Sequence, residues 1–509
     1  MKSLSFAATV LAASMAAATA AAAPLRDLNW KLPEKGARLE GSTLIVDVPH
    51  EGGRAMVCAS ARIDVSQAYR EFGVAIIGLR FRADGVTEPD ARWNGVKVMI
   101  SYVDADGDTQ YTGIDSPAPK GTFDWRFDTV RLSALANPRG IRDNTITLFL
   151  GLQGCTGHAE FDLSSLDFTI QPSGLKMANE DFIVRYPPPA APLHGVMLPE
   201  RATTEDDIAT LASWGATLAR FQIMRNWYAV DDCQDLEEYA QWIDSRLDNL
   251  ADVLRWAEAR GMKIVVDLHS PPGGKRQRPR EMNMLHDDKY AEAFVETWRR
   301  IATRFNGDPA IYGYDLINEP AQWGAARNSY WDLQRRAAEA IRKIDPTTTI
   351  IVASNMADSP GAFRYLSPLA MDNVIYQIHL YAPGKFTHQG VGGMVRKADG
   401  RQFEWPDPEM GWDISYLRRV LEPVRAFQKR HNARIYVGEF SAIAWAPGAD
   451  RYLRDCISLF EEYGWDWTYH AFREWAGWSV EHEVSGPGQQ PVPSDDNPRK
   501  RALLEGFKH

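Results

Sequence analysis

Residues Ile311-Tyr-Gly-Tyr-Asp-Leu-Ile-Asn-Glu319 form a nearly continuous apolar run that closes on an amide and a carboxylate. A strand that is apolar throughout is buried on both faces, as in parallel sheets covered by helices. Runs of the same kind begin at Leu193 (LHGVML), Ala216 (ATLARFQI), Met262 (MKIVVDLH), Thr348 (TTIIVAS), Asn373 (NVIYQIHLY), Ala433 (ARIYVGEF) and Trp465 (WDWTYHAF). Helical stretches lie between several of them. Ile243, Leu247, Leu250, Leu254 and Ala257 make one apolar stripe that Gly261 ends, and an earlier helix is bounded by Thr204 and Gly215. Eight such units in residues 193–509 are the arithmetic of a (β/α)₈ TIM barrel, an α/β fold. A doubly wound open sheet would want a glycine-rich loop after its first strand, and Leu198-Pro-Glu200 is not one.

Upstream the periodicity changes. Thr43–Val48, Gly73–Gly78, Gly95–Ile100, Thr145–Leu150, Phe161–Leu163 and Leu166–Ile170 are short, rich in branched apolar residues and separated by polar or glycine-bearing turns. Residues 24–170 therefore read as an all-β sandwich, jelly-roll-like. The order Gly121-Thr-Phe-Asp-Trp125, Leu150-Gly-Leu152, Phe161-Asp-Leu163 resembles the jelly-roll sugar-binding modules attached to many polysaccharidases. A purely structural sandwich fits the same residues. Residues 171–192 open on Gln171-Pro-Ser-Gly174 and close on Pro187-Pro-Pro-Ala-Ala-Pro192, an expected extended strap.

Lys2, the apolar run Leu4–Ala13 and the alanine-rich stretch to Ala23 have the order of a secretory signal, so residues 1–22 are set aside from the fold. The run is shorter than the roughly 20 residues that span a bilayer. The mature chain is expected outside the cytoplasm, periplasmic or extracellular, without a membrane anchor and as a monomer. Export permits disulfides. Two cysteines fall in each half, which makes Cys58–Cys155 and Cys233–Cys456 the simplest pairing, though sequence alone does not choose among the connectivities. A formal net charge of -10 argues against nucleic acid as a partner and is silent on neutral ligands. Seventeen tryptophans fill cores or offer flat faces to ligands such as sugars.

In such a barrel the carboxyl ends of the strands carry the chemistry. Strand two ends near Arg220, strand three on Asp267-Leu-His269, strand four on Asn318-Glu319-Pro320, strand six on His379-Leu-Tyr381, strand seven on Gly438-Glu439-Phe440, and strand eight runs on through Arg473-Glu474-Trp475. Glu319 and Glu439 are 120 residues apart, three βα units of about 40 residues each. Their strands lie on opposite sides of a narrow mouth, so the two carboxylates can face each other as a glycosidase pair. Spacing of roughly 5–5.5 Å would retain anomeric configuration, and roughly 6.5–9.5 Å would invert it.

These motifs in this strand order identify residues 193–509 as resembling glycoside hydrolase family 5, the cellulase-like retaining enzymes with the acid on strand four and the nucleophile on strand seven. The resemblance implies that Glu319 is the acid/base and Glu439 the nucleophile. It places Arg220, His269, Asn318, His379, Tyr381 and Trp475 in the substrate site. Arg220 and Tyr381 would hold Glu439 ionised, and the charge of Glu439 would help keep Glu319 protonated. Asn318 would bind the sugar 2-hydroxyl, His269 and His379 would bind hydroxyls or orient the carboxylates, and Trp475 would form the floor.

Taken singly, Arg220 fits a structural ion pair and either histidine a core position. No cysteine pair has metal-ligand spacing, and His269 and His379 with Asp267 and Glu200 make no familiar ligand set, so no metal or other cofactor is expected. Trp227, Trp323 and Trp445 follow strands two, four and seven as candidate stacking faces. The long loops 382–412 and 476–497 are expected to wall off one end of a groove. The expected activity is hydrolysis of β-linked glucan, polysaccharide or oligosaccharide. β-Mannan cleavage and exo-acting β-glucosidase activity are alternatives on the same machinery. A non-catalytic carbohydrate-binding barrel is the alternative of another class. A serine esterase is disfavoured because no Gly-x-Ser-x-Gly elbow occurs.

Overall fold

The computed structural model describes residues 28–49, 56–91, 93–104, 107–114, 119–137, 140–187, 191–225, 233–276, 281–391 and 400–509. The expected signal and the position of Trp227 lie outside the described residues. The chain divides into two compact units, Met1–Ala134 with Gly140–Pro172, and Leu135–Arg139 with Ser173–His509.

Among the described residues of the first unit, nine strands form two antiparallel sheets: β1 (Ala37–Glu40), β2 (Thr43–Val48), β3 (Val57–Asp64), β4 (Val74–Val86), β5 (Gly95–Val103), β6 (Thr109–Gly113), β7 (Gly121–Ser133), β8 (Thr145–Gln153) and β9 (Gly157–Gln171). One sheet has the order β1-β2-β9-β4-β7 and the other β3-β8-β5-β6. Alternate residues of both, among them Leu44, Val46, Leu79 and Phe81 facing Val96, Val98, Leu148 and Leu150, share one buried core. The period of two in the strand sequences thus produces a two-layered sandwich.

In the second unit β10 (His194–Met197), β11 (Leu218–Gln222), β12 (Lys263–Asp267), β13 (Ile311–Asp315), β14 (Thr349–Ala353), β15 (Val374–Leu380), β16 (Arg434–Phe440) and β17 (Asp466–Tyr469) close a parallel barrel. The second barrel helix, Leu236–Glu258, buries Ile243, Leu247, Leu250, Leu254 and Ala257, the stripe read from sequence. Thr204 caps the preceding helix in a reciprocal capping box with Asp207, and Gly215 ends it at φ 91°.

Inward positions alternate along each strand and sort into layers. Leu218, Val265, Ile351, Ile375 and Tyr436 form an apolar layer inside the barrel. Two residues further toward the carboxyl ends the same strands place Arg220, Asp267, Ala353 and Gln377. A polar plug therefore sits directly on an apolar one.

Two expectations change. The strap is in part a piece of the barrel unit: Val184 is fully buried, and its N–H donates to the His431 carbonyl at 2.9 Å. The Tyr186 hydroxyl donates to the Val374 carbonyl at 2.6 Å. The prolines at 187–192 suggested an extended connector, but the apolar residues before them had core to join. The cysteine pairings are not made either, since Cys58, Cys155 and Cys456 are thiols. Cys58 points its sulfur at the Leu152 carbonyl, 3.8 Å away, and burial pushes its thiol up to about 12.

Candidate active site

The strand pairing explains how Glu439 reaches the mouth. β15 and β16 run in register to Ile378 and Val437, then His379 pairs with Glu439 and Gly438 is skipped. The bulge re-aims the following side chain. It also needs glycine, because a Cβ at position 438 would lie 2.3 Å from Gln377 Oε1 and 3.0 Å from His379 Nε2.

Both carboxylate oxygens of Glu439 are held. Arg220 donates to Oε1 at 2.8 Å and the Tyr381 hydroxyl to Oε2 at 2.8 Å. Arg220, fully buried, also donates to Asp315 at 2.9 Å and to Asn318 Oδ1 at 3.0 Å, and lies 3.2 Å from Asp267. Burial alone would raise the Glu439 carboxyl, but the positive charge of His379, His470 and Arg220 outweighs it and holds Glu439 well below the usual carboxylate range. Burial dominates at Asp315, which is pushed up to about 8 despite its contact with Arg220. Burial and then the charge of Glu439 keep the Tyr381 phenol protonated, so it remains a donor.

The network also fixes a tautomer. Asn318 accepts from Arg220 through Oδ1, so its amide nitrogen donates to His269 Nε2, 3.0 Å away. His269 Nδ1 then carries the hydrogen and donates to Asp267 at 2.8 Å. His269 thus links Asn318 to Asp267.

Glu319 lies four residues beyond β13, at φ 50°, in the left-handed region that costs a non-glycine residue energy. Its N–H donates to Asp358 Oδ2 at 3.0 Å, a buried carboxyl that also accepts from the Ser354 N–H at 2.8 Å. His379 Nδ1 stands 3.0 Å from Glu319 Oε1 and 3.6 Å from Glu439 Oε2. Ligating atoms of Glu319, His379 and Glu439 all lie within 4.8 Å of one another. A metal ion would accept that spacing, but both oxygens of Glu439 are already committed to Arg220 and Tyr381.

The pair opens into a cavity of about 740 Å³, lined among others by His269, Glu319, Tyr381, Glu439, Trp475 and Trp478. Glu319, Glu439, Arg220, His269, Asn318, His379 and Tyr381 are brought together at the carboxyl ends of the barrel strands. Trp475 lies in the loop after β17, is 46% exposed, and meets Trp445 and Trp478 edge-on at centroid distances of 6.0 and 5.9 Å. It is a wall of the cavity rather than the residue at the end of the strand. Trp445 also lines the cavity, Trp323 does not, and Trp405 is a buried packing residue bonded to Asp455 at 2.8 Å. Gly390 and Pro487 bring the two long loops together: a Cβ at 390 would lie 2.5 Å from the proline ring.

Sequence reading passed over Asp358, His388, His470 and Glu474. His470 was detectable as the next inward residue after Asp466 and Thr468. Glu474 was visible only as one polar residue among several. Nothing local distinguishes Asp358, which acts through the backbone of Glu319.

A family model described as cellulase (glycosyl hydrolase family 5) matches residues 187–477. Endoglucanase C of Acetivibrio thermocellus is 26% identical over 317 residues, covering 57% of this chain and 88% of its own length. Cellodextrinase A of Ruminococcus flavefaciens is 25% identical over 274 residues, covering 53% of this chain and 79% of its own. Among solved structures, Cel5A of Thermotoga maritima in complex with cellobiose matches with a TM-score of 0.47 and 22% identity, over 62% of this chain and 96% of its own. A closed βα barrel with two facing carboxylates at its mouth has the layout of a glycoside hydrolase, and the family match places the chain in that class. The chain belongs to glycosyl hydrolase family 5, the cellulase family.

Proposed function

We propose that the chain is an exported, monomeric, retaining β-glycosidase of the endoglucanase type, acting on β-glucan by double displacement. The observation that carries this reading is the meeting of Glu319 and Glu439 oxygens within 4.8 Å, with Glu439 held ionised from both sides. That spacing favours retention, since it lies well short of the roughly 6.5–9.5 Å that inverting pairs use to place a water on the far face of the sugar. Glu439 attacks the anomeric carbon and forms a glycosyl ester while the bond to the leaving oxygen breaks and Glu319 gives that oxygen its proton. Glu319, now ionised, takes a proton from water, which attacks the same carbon and frees Glu439. Asn318 is placed to bind the 2-hydroxyl, and the tryptophans of the wall to cover the apolar faces of the sugar. Proton NMR of fresh product tests the mechanism: the β-anomer is expected first, and an initial α-anomer would overturn retention.

The contact of Gly390 with Pro487 favours a second reading of cleavage mode, action on short chains or chain ends. Products from a defined β-glucan tetrasaccharide decide it: release of one end unit alone supports this mode, internal cuts the endo mode. Turnover of β-mannan instead would move the substrate. Binding to glycans without products would make the barrel a lectin-like protein.

The sandwich is the candidate anchor to polysaccharide. Phe127 is 56% exposed, its ring tip covers Gly78, and beside it Arg80 and Arg82 lie over the Trp125 ring at 5.5 and 5.0 Å. Phe127→Ala is expected to weaken retention on insoluble cellulose without altering turnover of soluble substrate. Export is checked by the N-terminal sequence of protein recovered outside the cytoplasm.

A further inference from the structure

We propose that His470, set by Glu474 and Gln222, is a hydroxyl-recognition subsite for the sugar ring held over Glu439. The inference rests on the glycosidase reading above and extends it to a substrate contact that the two-step chemistry does not require. His470 follows β17 directly and continues the inward series Asp466, Thr468. It lines the same cavity as Glu319, Tyr381 and Glu439. Its ring meets the Tyr381 ring edge-on at 6.0 Å, and the Tyr381 hydroxyl is bonded to Glu439.

The hydrogen-bond pattern around His470 leaves two buried polar atoms without a protein partner. Glu474 Oε1 lies 3.3 Å from His470 Nε2, and Glu474 Oε2 accepts from Gln222 Nε2 at 3.0 Å. A carboxylate only accepts, so His470 Nε2 carries a hydrogen. His470 Nδ1 is shielded from solvent and bonded to no protein atom, and so is Gln222 Oε1. Buried polar atoms without partners are rare, because each forfeits its hydration. On the opposite side of Glu439 the groups differ: Arg220, Asn318 and His269 bond to one another.

A sugar hydroxyl both donates and accepts. It can give its hydrogen to a bare Nδ1, or accept from Nδ1 when the ring is protonated, so the contact survives either state. An aromatic floor would stack on any ring of similar shape. A buried hydrogen-bonding group instead rejects a ring that lacks the matching hydroxyl, because the protein atom is then left unpaired. Glu474 and Gln222 contribute by fixing which nitrogen of His470 faces the ligand. Neither His470 nor Glu474 moves a proton in the reaction.

The test compares kcat/KM of the full chain on an aryl β-glycoside and on its analogues, each lacking one hydroxyl of the ring whose anomeric bond is cleaved. One analogue is expected to be about 10- to 100-fold poorer for the wild type through this contact. His470→Phe keeps the ring volume and is expected to lose that same factor on the parent. It should show no further loss on the one analogue, while its losses on the others match those of the wild type. Equal loss on every analogue, or full parent activity in His470→Phe, would overturn the subsite. If His470→Phe does not fold, as judged by its melting temperature, Glu474→Gln carries the test. Its discrimination against the same analogue should shrink, and unchanged discrimination would overturn the proposal. Absence of wild-type turnover on every parent β-glycoside would instead remove the glycosidase reading itself.

Discussion

The two ends of the barrel each set an arginine against buried acid, and they do it differently. At the amino end, Asp466 accepts from the Leu193 N–H at 2.8 Å, from the Tyr312 hydroxyl at 2.5 Å and from Arg434 at 3.2 Å. Charge is balanced one to one, and no buried side-chain polar atom of Tyr312, Arg434 or Asp466 lacks a partner. At the carboxyl end a single guanidinium, Arg220, is shared by Asp267, Asp315 and Glu439. Gln222 Oε1, Gln377 Oε1, His379 Nε2 and His470 Nδ1 are buried there without a hydrogen-bond partner. A balanced, satisfied cluster holds a structure together. An unbalanced one forces neighbouring acids apart in ionisation, which acid–base chemistry needs.

The largest expected effect lies at the unbalanced end. Glu319→Ala should lower turnover by about 10²–10⁴-fold and Glu439→Ala by at least as much. Glu319→Ala should change the melting temperature little, whereas Glu439→Ala also leaves buried Arg220 and the Tyr381 hydroxyl without that acceptor and should lower it. Full turnover in either folded variant on every β-glycan tested would erase the distinction between the ends.

Asp466→Ala is the mirror experiment. It strips a buried hydroxyl, an arginine and a backbone N–H of their acceptor, and should cost about 3 kcal/mol of stability by denaturant titration. The kcat of the folded enzyme should be unchanged. A fall in kcat at full stability would show that the amino end reports on the chemistry after all.

The contrast also governs what could be read without coordinates. The eight strands were legible because burial on both faces writes itself into continuous apolar runs, and the carboxylate pair because it recurs at the ends of those runs. The bulge at Gly438, the support of Glu319 by Asp358, and the orphaned nitrogen of His470 were not legible. Each depends on atoms brought together from distant strands, with no local period. The connector was misread for the converse reason. Pro187–Pro192 signals extension, whereas the burial of Val184 depends on a surface supplied by residues around His431.

The active end should also carry a pH signature. His388 lines the cavity, and burial, followed by the nearby charge of His470, lowers it from 6.5 to about 4. The unfolded chain binds this proton at a higher pH than the folded one. The folded state is therefore unpenalised above about pH 6.5 and loses stability as the pH falls toward 4. The loss should reach about 2–3 kcal/mol. His388→Gln should flatten the dependence of the denaturant midpoint on pH across that window, and an unchanged slope would assign the acid sensitivity elsewhere.

The smallest effect tests how the asymmetry acts on Glu439. Glu439 receives one donor on each oxygen, Arg220 on Oε1 and Tyr381 on Oε2. Arg220 also ties down Asp315 and Asn318, so its removal would disturb the whole plug and would not isolate Glu439. Tyr381 is the cleaner probe, because Tyr381→Phe deletes one hydroxyl and keeps the ring against His388 and His470. Losing a hydrogen bond to a charged group should cost about 1.5–2 kcal/mol, a tenfold to thirtyfold fall in kcat. With Arg220 still in place, Glu439 stays ionised, so the acid limb of the pH profile should shift only slightly. A fall in melting temperature with kcat intact would mean that Tyr381 is packed for stability, as Tyr312 is at the opposite end.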